Sequence, residues 1–259
     1  MNNKISKFFT SFNKVKFDDI PHKYYVNGKC LISVTELISK YTEEFDENYW
    51  SEIKANEFGL EQWEVIDAWK FINKKATLKG SIVHNYGEYI FNNKIFTYPK
   101  QLVLSELGYD PIYNEYIIQK NHIDKLYLDY KYILIPIKTE YVLCDEEYGI
   151  GGMVDLLVYN LKEDEYQIWD YKTHREFTEE SERYLLGRLG MIEASDLEIC
   201  SLQLSTYKYI IEKNTKIKIG KCNIIWLPPD KDDTYKIYEA KDKEYYVKIM
   251  LEENKLLTT

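Results

Sequence analysis

The stretch from Ile150 to Lys172, "IGGMVDLLVYNLKEDEYQIWDYK", constrains this chain more than any other. Two runs rich in β-branched and aromatic residues flank the polar "LKEDE", which predicts two strands joined by a turn. Each run carries an acid among apolar neighbours: Asp155 in the first, Asp170 in the second. Fifteen residues separate them, enough for one strand, a turn and the return. The hairpin therefore brings both carboxylates to one end of a sheet. Asp170 and Lys172 are two apart and share a strand face. Taken singly, Asp155 reads as a strand-end carboxylate and Asp170–Lys172 as a sheet-edge ion pair. Taken together, two converging carboxylates repel unless a cation sits between them. Oxygen ligands with open positions suit Mg²⁺ or Mn²⁺. Such an ion polarises a phosphate oxygen and lowers the pKa of a bound water, while a nearby lysine offsets developing charge. The set makes chemical sense as a phosphodiester hydrolysis site.

The rest of the chain supplies a frame for that hairpin. "KYYVNGKCLISVTELI" reads as two short strands about an Asn27-Gly28 turn, then a helix from near Val34 capped by Ser33 or Thr35. The pattern from Phe45 to Asn73 is helical, with Trp63, Ile66, Trp69 and Phe71 on an apolar side. Leu78 to Phe91 reads as another helix, with Ile82, Val83, Tyr86 and Ile90 at helical spacing. Residues 100–131 are tyrosine-rich and helical after Pro111, read as a cap over the sheet with base stacking as the alternative. "YILIPIKTEYVLC" reads as a strand. "LEICSLQLSTYKYIIEKN" reads as an amphipathic helix and "GKCNIIWLPPD" as a strand stopped by Pro228-Pro229. "YKIYEA" and a helix from Lys243 to Asn254 close the chain. The fold expected is α/β: a central mixed sheet flanked by helices. It forms one domain over 1–259, with helical elaborations at about 34–75 and 100–131 and a core at about 76–227.

Composition narrows the class. The net charge of −9 argues against coating nucleic acid by bulk charge but leaves room for a local basic track. Lysines cluster at 70–79 and at 208–221. The four cysteines and four histidines are scattered, so no structural zinc site is expected. No apolar run is long enough to cross a membrane. The N-terminal stretch has no continuous apolar region followed by a cleavage site, so the expected compartment is the cytoplasm.

Two helical motifs join the hairpin. In "KGSIVH", Gly80 and His84 are four apart on one face, where Gly80 allows close approach and His84 can offer an imidazole to a metal. In "QLSTY", Gln203 and Tyr207 are four apart and can hold a phosphate or the lysine. Either pair is also an ordinary core-facing pair when seen alone. In chain order the four elements are Lys-Gly-x-x-x-His, Gly-x-x-Asp, Asp-x-Lys and Gln-x-x-x-Tyr, spread from Lys79 to Tyr207. This order resembles the PD-(D/E)XK nuclease superfamily, in its RecB-like and Cas4-like exonuclease branch. "HKYYVNGKCLISVTELI" and "IDAWKFINKKATLKGSIVH" are similar to the amino-terminal region of phage-type recombination nucleases of that branch.

The resemblance implies a restriction-endonuclease-like sheet and a metal-dependent DNA exonuclease acting in recombination, replication or repair. It implies Asp155, Asp170 and the backbone carbonyl of Tyr171 as metal ligands, with His84 beside the metal and Lys172 as the catalytic lysine. Gln203 and Tyr207 would support the site and the DNA backbone. Glu140, on the preceding strand, is a weaker metal candidate. Lys74, Lys75, Lys79 and Lys208 would flank the strand. DNA is the expected partner, with a separate helicase or single-strand annealing protein as a further one. The chain carries no phosphate-cradling nucleotide motif of its own. Relatives with an iron–sulfur cluster hold it by one early and three late cysteines. Here Cys200 and Cys222 stand too far apart, so no cluster is expected. The alternatives are a catalytically silent nucleic-acid-binding protein of the same fold, and an endonuclease of the same superfamily.

Overall fold

A computed structural model describes residues 2–18, 22–230 and 234–258. The N-terminal helix α1 (Asn2–Thr10) and strand β1 (Val15–Asp18) were not expected from the sequence. Ile5, Phe8, Phe9 and Phe12 keep helical spacing and Val15 and Phe17 alternate, but each run is too short to specify an element by itself. They are fixed by tertiary burial instead: Phe8 packs edge-on against Tyr141 and Tyr166, and Phe12 against Tyr141.

Strands β2 (Lys23–Val26) and β3 (Lys29–Ser33) form the expected hairpin. Asn27 and Gly28 both take positive φ, as a two-residue turn of matching twist requires. Ser33 then caps α2 (Val34–Ser39), its hydroxyl accepting the Glu36 N–H at 3.0 Å.

The helical segment that follows breaks elsewhere than expected. Helix α3 (Glu47–Phe58) ends at Gly59 in the left-handed conformation, and α4 runs unbroken from Gln62 to Phe91. A reciprocal Glu61–Glu64 capping box starts α4. Between 74 and 78 stand Lys74, Lys75, Ala76, Thr77 and Leu78, none of which stops a helix, so the expected boundary there does not exist. The supposed apolar side of this segment is not a core face either: Trp63 is 63% exposed.

Helices α5 (Lys100–Leu107) and α6 (Tyr113–Tyr130) follow, then the strands β4 (Leu134–Asp145), β5 (Ile150–Asn160) and β6 (Glu165–Lys172). Helix α7 (Asp196–Thr215) carries the chain over the sheet to β7 (Ile219–Trp226), parallel to β6. Strand β8 (Lys236–Glu239) and helix α8 (Glu244–Thr258) complete the described residues. Among the described residues the result is a mixed α/β architecture with an eight-stranded sheet flanked by helices. No helix among the described residues is long and apolar enough to cross a membrane.

Two cores cover the sheet. On one side Leu156, Val158, Trp169 and Tyr171 pack with Ile82, Val83, Tyr116 and Ile123 of α4 and α6. On the other, Leu157 and Ile168 pack with Leu202, Leu204 and Ile210 of α7 and with α8.

The pairing of β5 positions the site. Strand β4 runs along the whole of one edge of β5. The other edge is shared: β3 pairs at Ile150 and Gly151, β6 from Leu156 to Asn160. Between those two pairings the sheet splits, and Gly152 to Asp155 line the split.

Candidate active site

Asp155 sits where β6 leaves β5. Its carboxylate replaces the missing strand partner: Oδ2 accepts the Tyr171 backbone N–H at 2.7 Å. The same oxygen lies 3.3 Å from Nδ1 of His84, which α4 delivers from the opposite layer. Across the other edge, the pairs Thr139–Leu156 and Tyr141–Val154 set Glu140 opposite Asp155. Glu140 has φ 44°, a left-handed conformation inside a strand. A non-glycine residue holds that backbone at roughly 1–3 kcal/mol. His84, Glu140 and Asp155 each bring a ligand atom within 4.8 Å of the others. Glu140 thus stands in the convergent group, ahead of its rank in the sequence reading.

The β5–β6 register, extended from Leu156–Trp169, sets Asp170 in the next place in the same row. Asp170 lies outside the convergent group and is engaged by lysine: Oδ2 is 2.6 Å from Lys172 Nζ. Lys172 Nζ also donates to Gln203 Oε1 at 3.1 Å, and Gln203 Nε2 donates to Tyr207 Oη at 3.0 Å. The four motif residues on β6 and α7 therefore form one chain, Asp170–Lys172–Gln203–Tyr207. Tyr207 is only 3% exposed and seats against Gly152, where a Cβ would come within 2.4 Å of its ring. The Gly-x-x-Asp spacing is explained by this contact.

The expected close approach at Gly80 is less tight. A Cβ there would stand 3.3 Å from Thr173 Oγ1. The intimate contact on that helix is at Gly87, where a Cβ would fall 2.8 Å from the Tyr171 ring. Gly80, His84 and Gly87 share one face of α4, so Gly87 lets His84 sit against the sheet.

The electrostatics follow from three acids in a row on adjacent strands. Burial raises the Glu140 carboxyl, and the neighbouring Asp155 raises it further, to about 8. Burial also raises Asp170; Lys172 pulls against the rise and Asp155 adds to it, leaving it above its ordinary value. Burial works to raise Asp155 as well, but His84, Lys172 and the Tyr171 N–H outweigh it and hold it low. Burial works to lower His84, yet Asp155 with Glu140 and Asp170 behind it lifts the imidazole to about 9. Burial opposes the charge on Lys172, and Asp170 overturns that and raises it. Both shifts favour the protonated forms of Glu140 and His84. Carboxylates and an imidazole that crowd to this degree fit a divalent cation such as Mg²⁺ or Mn²⁺.

The cleft around these residues is about 600 Å³ and also takes in Tyr24 and Ser33 of the hairpin end. The lysines are distributed differently from expectation. Lys75 and Lys79 both bind Glu115, each at 2.8 Å, and Lys74 pairs with Glu106 at 3.0 Å. Lys208 donates to the Gly220 carbonyl beside Glu165, at the opposite end of β6 from Lys172. The structure does not bring Lys208 to the site. Within the 208–221 cluster, Lys213, Lys218 and Lys221 also pair with acids. Spacing does not foresee most of these pairs, because every acid except Glu212, the partner of Lys218, comes from a distant part of the chain. Thr173 and Arg175, just past the end of β6, line a cavity next to the cleft, and no local pattern marks them.

The fold is similar to the crystal structure of a candidate exonuclease from Eubacterium rectale, with a TM-score of 0.44 and 14% identity. The match covers 71% of this chain and 65% of that one, so this chain spans just under two thirds of that protein's length. No family model and no curated protein matches the chain.

Proposed function

We propose that the chain is a divalent-metal-dependent deoxyribonuclease that hydrolyses phosphodiester bonds at DNA ends, an exonuclease of the RecB-like kind. The observation that carries this reading is the convergence of His84, Glu140 and Asp155 beside a lysine fixed by two partners. These three residues would hold Mg²⁺ or Mn²⁺, with the Tyr171 carbonyl and Asp170 as further oxygen donors at the same end of β6. When bound, the ion would supply Lewis acidity and lower the pKa of a bound water.

The chain's own groups do the rest. Lys172 stays charged and is aimed into the cleft by Asp170 and Gln203, so it meets negative charge as it grows on the phosphoryl oxygens. Tyr207 holds Gln203, and Gly152 holds Tyr207. The Tyr171 N–H fixes one Asp155 oxygen and leaves the other for a ligand. The role would be DNA end processing in recombination, replication or repair, with any motor or annealing protein a separate chain.

The test uses end-labelled linear single- and double-stranded DNA and a covalently closed circle, with Mg²⁺ or Mn²⁺. Release of mononucleotides or short oligonucleotides from linear substrate alone is expected. Lys172→Ala should lower the rate by at least about a hundredfold. Cutting of the circle would indicate an endonuclease instead. Binding without metal-dependent cleavage of any substrate would indicate a silent binding protein.

A further inference from the structure

A second cavity, about 640 Å³, adjoins the cleft and shares Gly80 with it. Its size is that of a small-ligand site. One wall is cationic: Lys75 and Lys79 of α4, with Arg175 from the chain just beyond Lys172. Another part is apolar, formed by Ile72, Ala76 and Pro229. Lys79 is 6% exposed, and its ammonium shares the single carboxylate of Glu115 with Lys75. Lys75, Lys79 and Arg175 face two carboxylates on the same lining, Glu115 and Asp230, which leaves one excess positive charge at a half-buried wall. An excess charge at a half-buried wall favours an anion. Arg175, exposed and planar, adds a fork suited to phosphate oxygens.

The placement relative to the site is definite. Lys79 precedes His84 by five residues on one helix, about 7.5 Å along the axis. That is a span on the scale of one nucleotide step. The cavity thus offers a phosphate-binding wall and an apolar wall beside the place where a phosphodiester would be cleaved.

We propose that this cavity is the subsite for the nucleotide adjoining the cleaved bond. Its phosphate is held by Lys75, Lys79 and Arg175, and its nucleoside lies on Ile72, Ala76 and Pro229. The assignment rests on the nuclease reading for its place in the reaction, but its ligand chemistry is testable without catalysis.

Titration calorimetry of the full chain in metal-free buffer with EDTA, using dTMP and thymidine, reads the subsite directly. dTMP should bind at least about tenfold tighter than thymidine, and Arg175→Ala or Lys75→Ala should each weaken dTMP by roughly tenfold. In the presence of metal, the same variants should raise KM for a short oligonucleotide more than kcat falls. Their penalty on the oligonucleotide should exceed that on bis(4-nitrophenyl) phosphate, which has no flanking phosphate. Arg175→Lys should recover part of the loss. Equal binding of dTMP and thymidine, binding of neither, or dTMP binding indifferent to both variants would overturn the subsite. If that happens while DNA is still hydrolysed, the nuclease reading stands and only the subsite falls. Phosphate-dependent dTMP binding with no hydrolysis of any DNA overturns the nuclease reading and the subsite's place in a reaction.

Discussion

At the scale of single residues, the site is a proton store that a cation would empty. Unfolded, Glu140 and His84 titrate near 4.5 and 6.5; folded, near 8 and 9. Between those values the folded chain binds protons that the unfolded chain has released. Without added cation, stability therefore falls as pH rises from about 5 to 9. A divalent cation needs the deprotonated ligands, so its stabilising effect grows over the same window. Thermal melts at pH 6, 7.5 and 9, with and without MnCl₂, should show a metal-induced rise in Tm that is largest at pH 9. A rise of equal size at all three would refute the ligand set. Asp170 and Lys172 form a different kind of pair, both buried and mutually compensating. Lys172→Met strands the carboxylate and should cost about 3–5 kcal/mol in urea unfolding. The double change Asp170→Asn with Lys172→Met should recover most of that stability and none of the activity. If the double variant were as unstable as the single, the pair would not be what holds β6 there.

At the scale of elements, α4 and β6 are held together at particular glycines. Gly87→Ala pushes a methyl into the Tyr171 ring and should cost about 1–3 kcal/mol by overpacking. Gly80→Ala meets only a rotatable Thr173 hydroxyl and gains helix propensity of roughly 1 kcal/mol, so its net effect should be far smaller. Chemical denaturation of the two variants decides this; equal losses would mean that the close helix–strand approach is not localised at Gly87. The motifs at Gly80 and His84 and at Gln203 and Tyr207 were legible because spacing of four marks one helix face. Gly87 was not, since nothing local distinguishes a glycine that meets a ring from one that meets solvent. Glu140 was legible only as an acid in a strand. Its rank depended on a register that brings it opposite Asp155.

At the scale of the whole molecule, α3 and the first half of α4 stand apart from both cores. Neither core includes a residue between 42 and 77. Residues 43–67 carry nine acids and one lysine, so this part of the surface repels a nucleic-acid strand rather than guiding it. Phe58 and Trp63 are mostly exposed there. Trp63→Ser should change unfolding free energy by no more than about 0.5 kcal/mol, measured by urea titration. A loss of several kcal/mol would mean that the segment is packed more tightly than its exposure indicates. The same helical period that marked 45–73 as helix suggested a buried face. The period fixes which residues share a side; it does not say whether anything covers that side.

The sequence by itself determined the strands that carry Asp155, Asp170 and Lys172, the hairpin turn at Asn27-Gly28, and the helix faces of His84 and Gln203. Each rests on interactions within a few residues or on a period. The tertiary structure decided the rest: the split along one edge of β5, the entry of Glu140 into the convergent group, and the tie of Lys172 to Gln203. It also decided the capture of Lys75 and Lys79 by Glu115. These depend on which distant strand or helix arrives beside a residue, and on the burial that sets how strongly the arriving charges act.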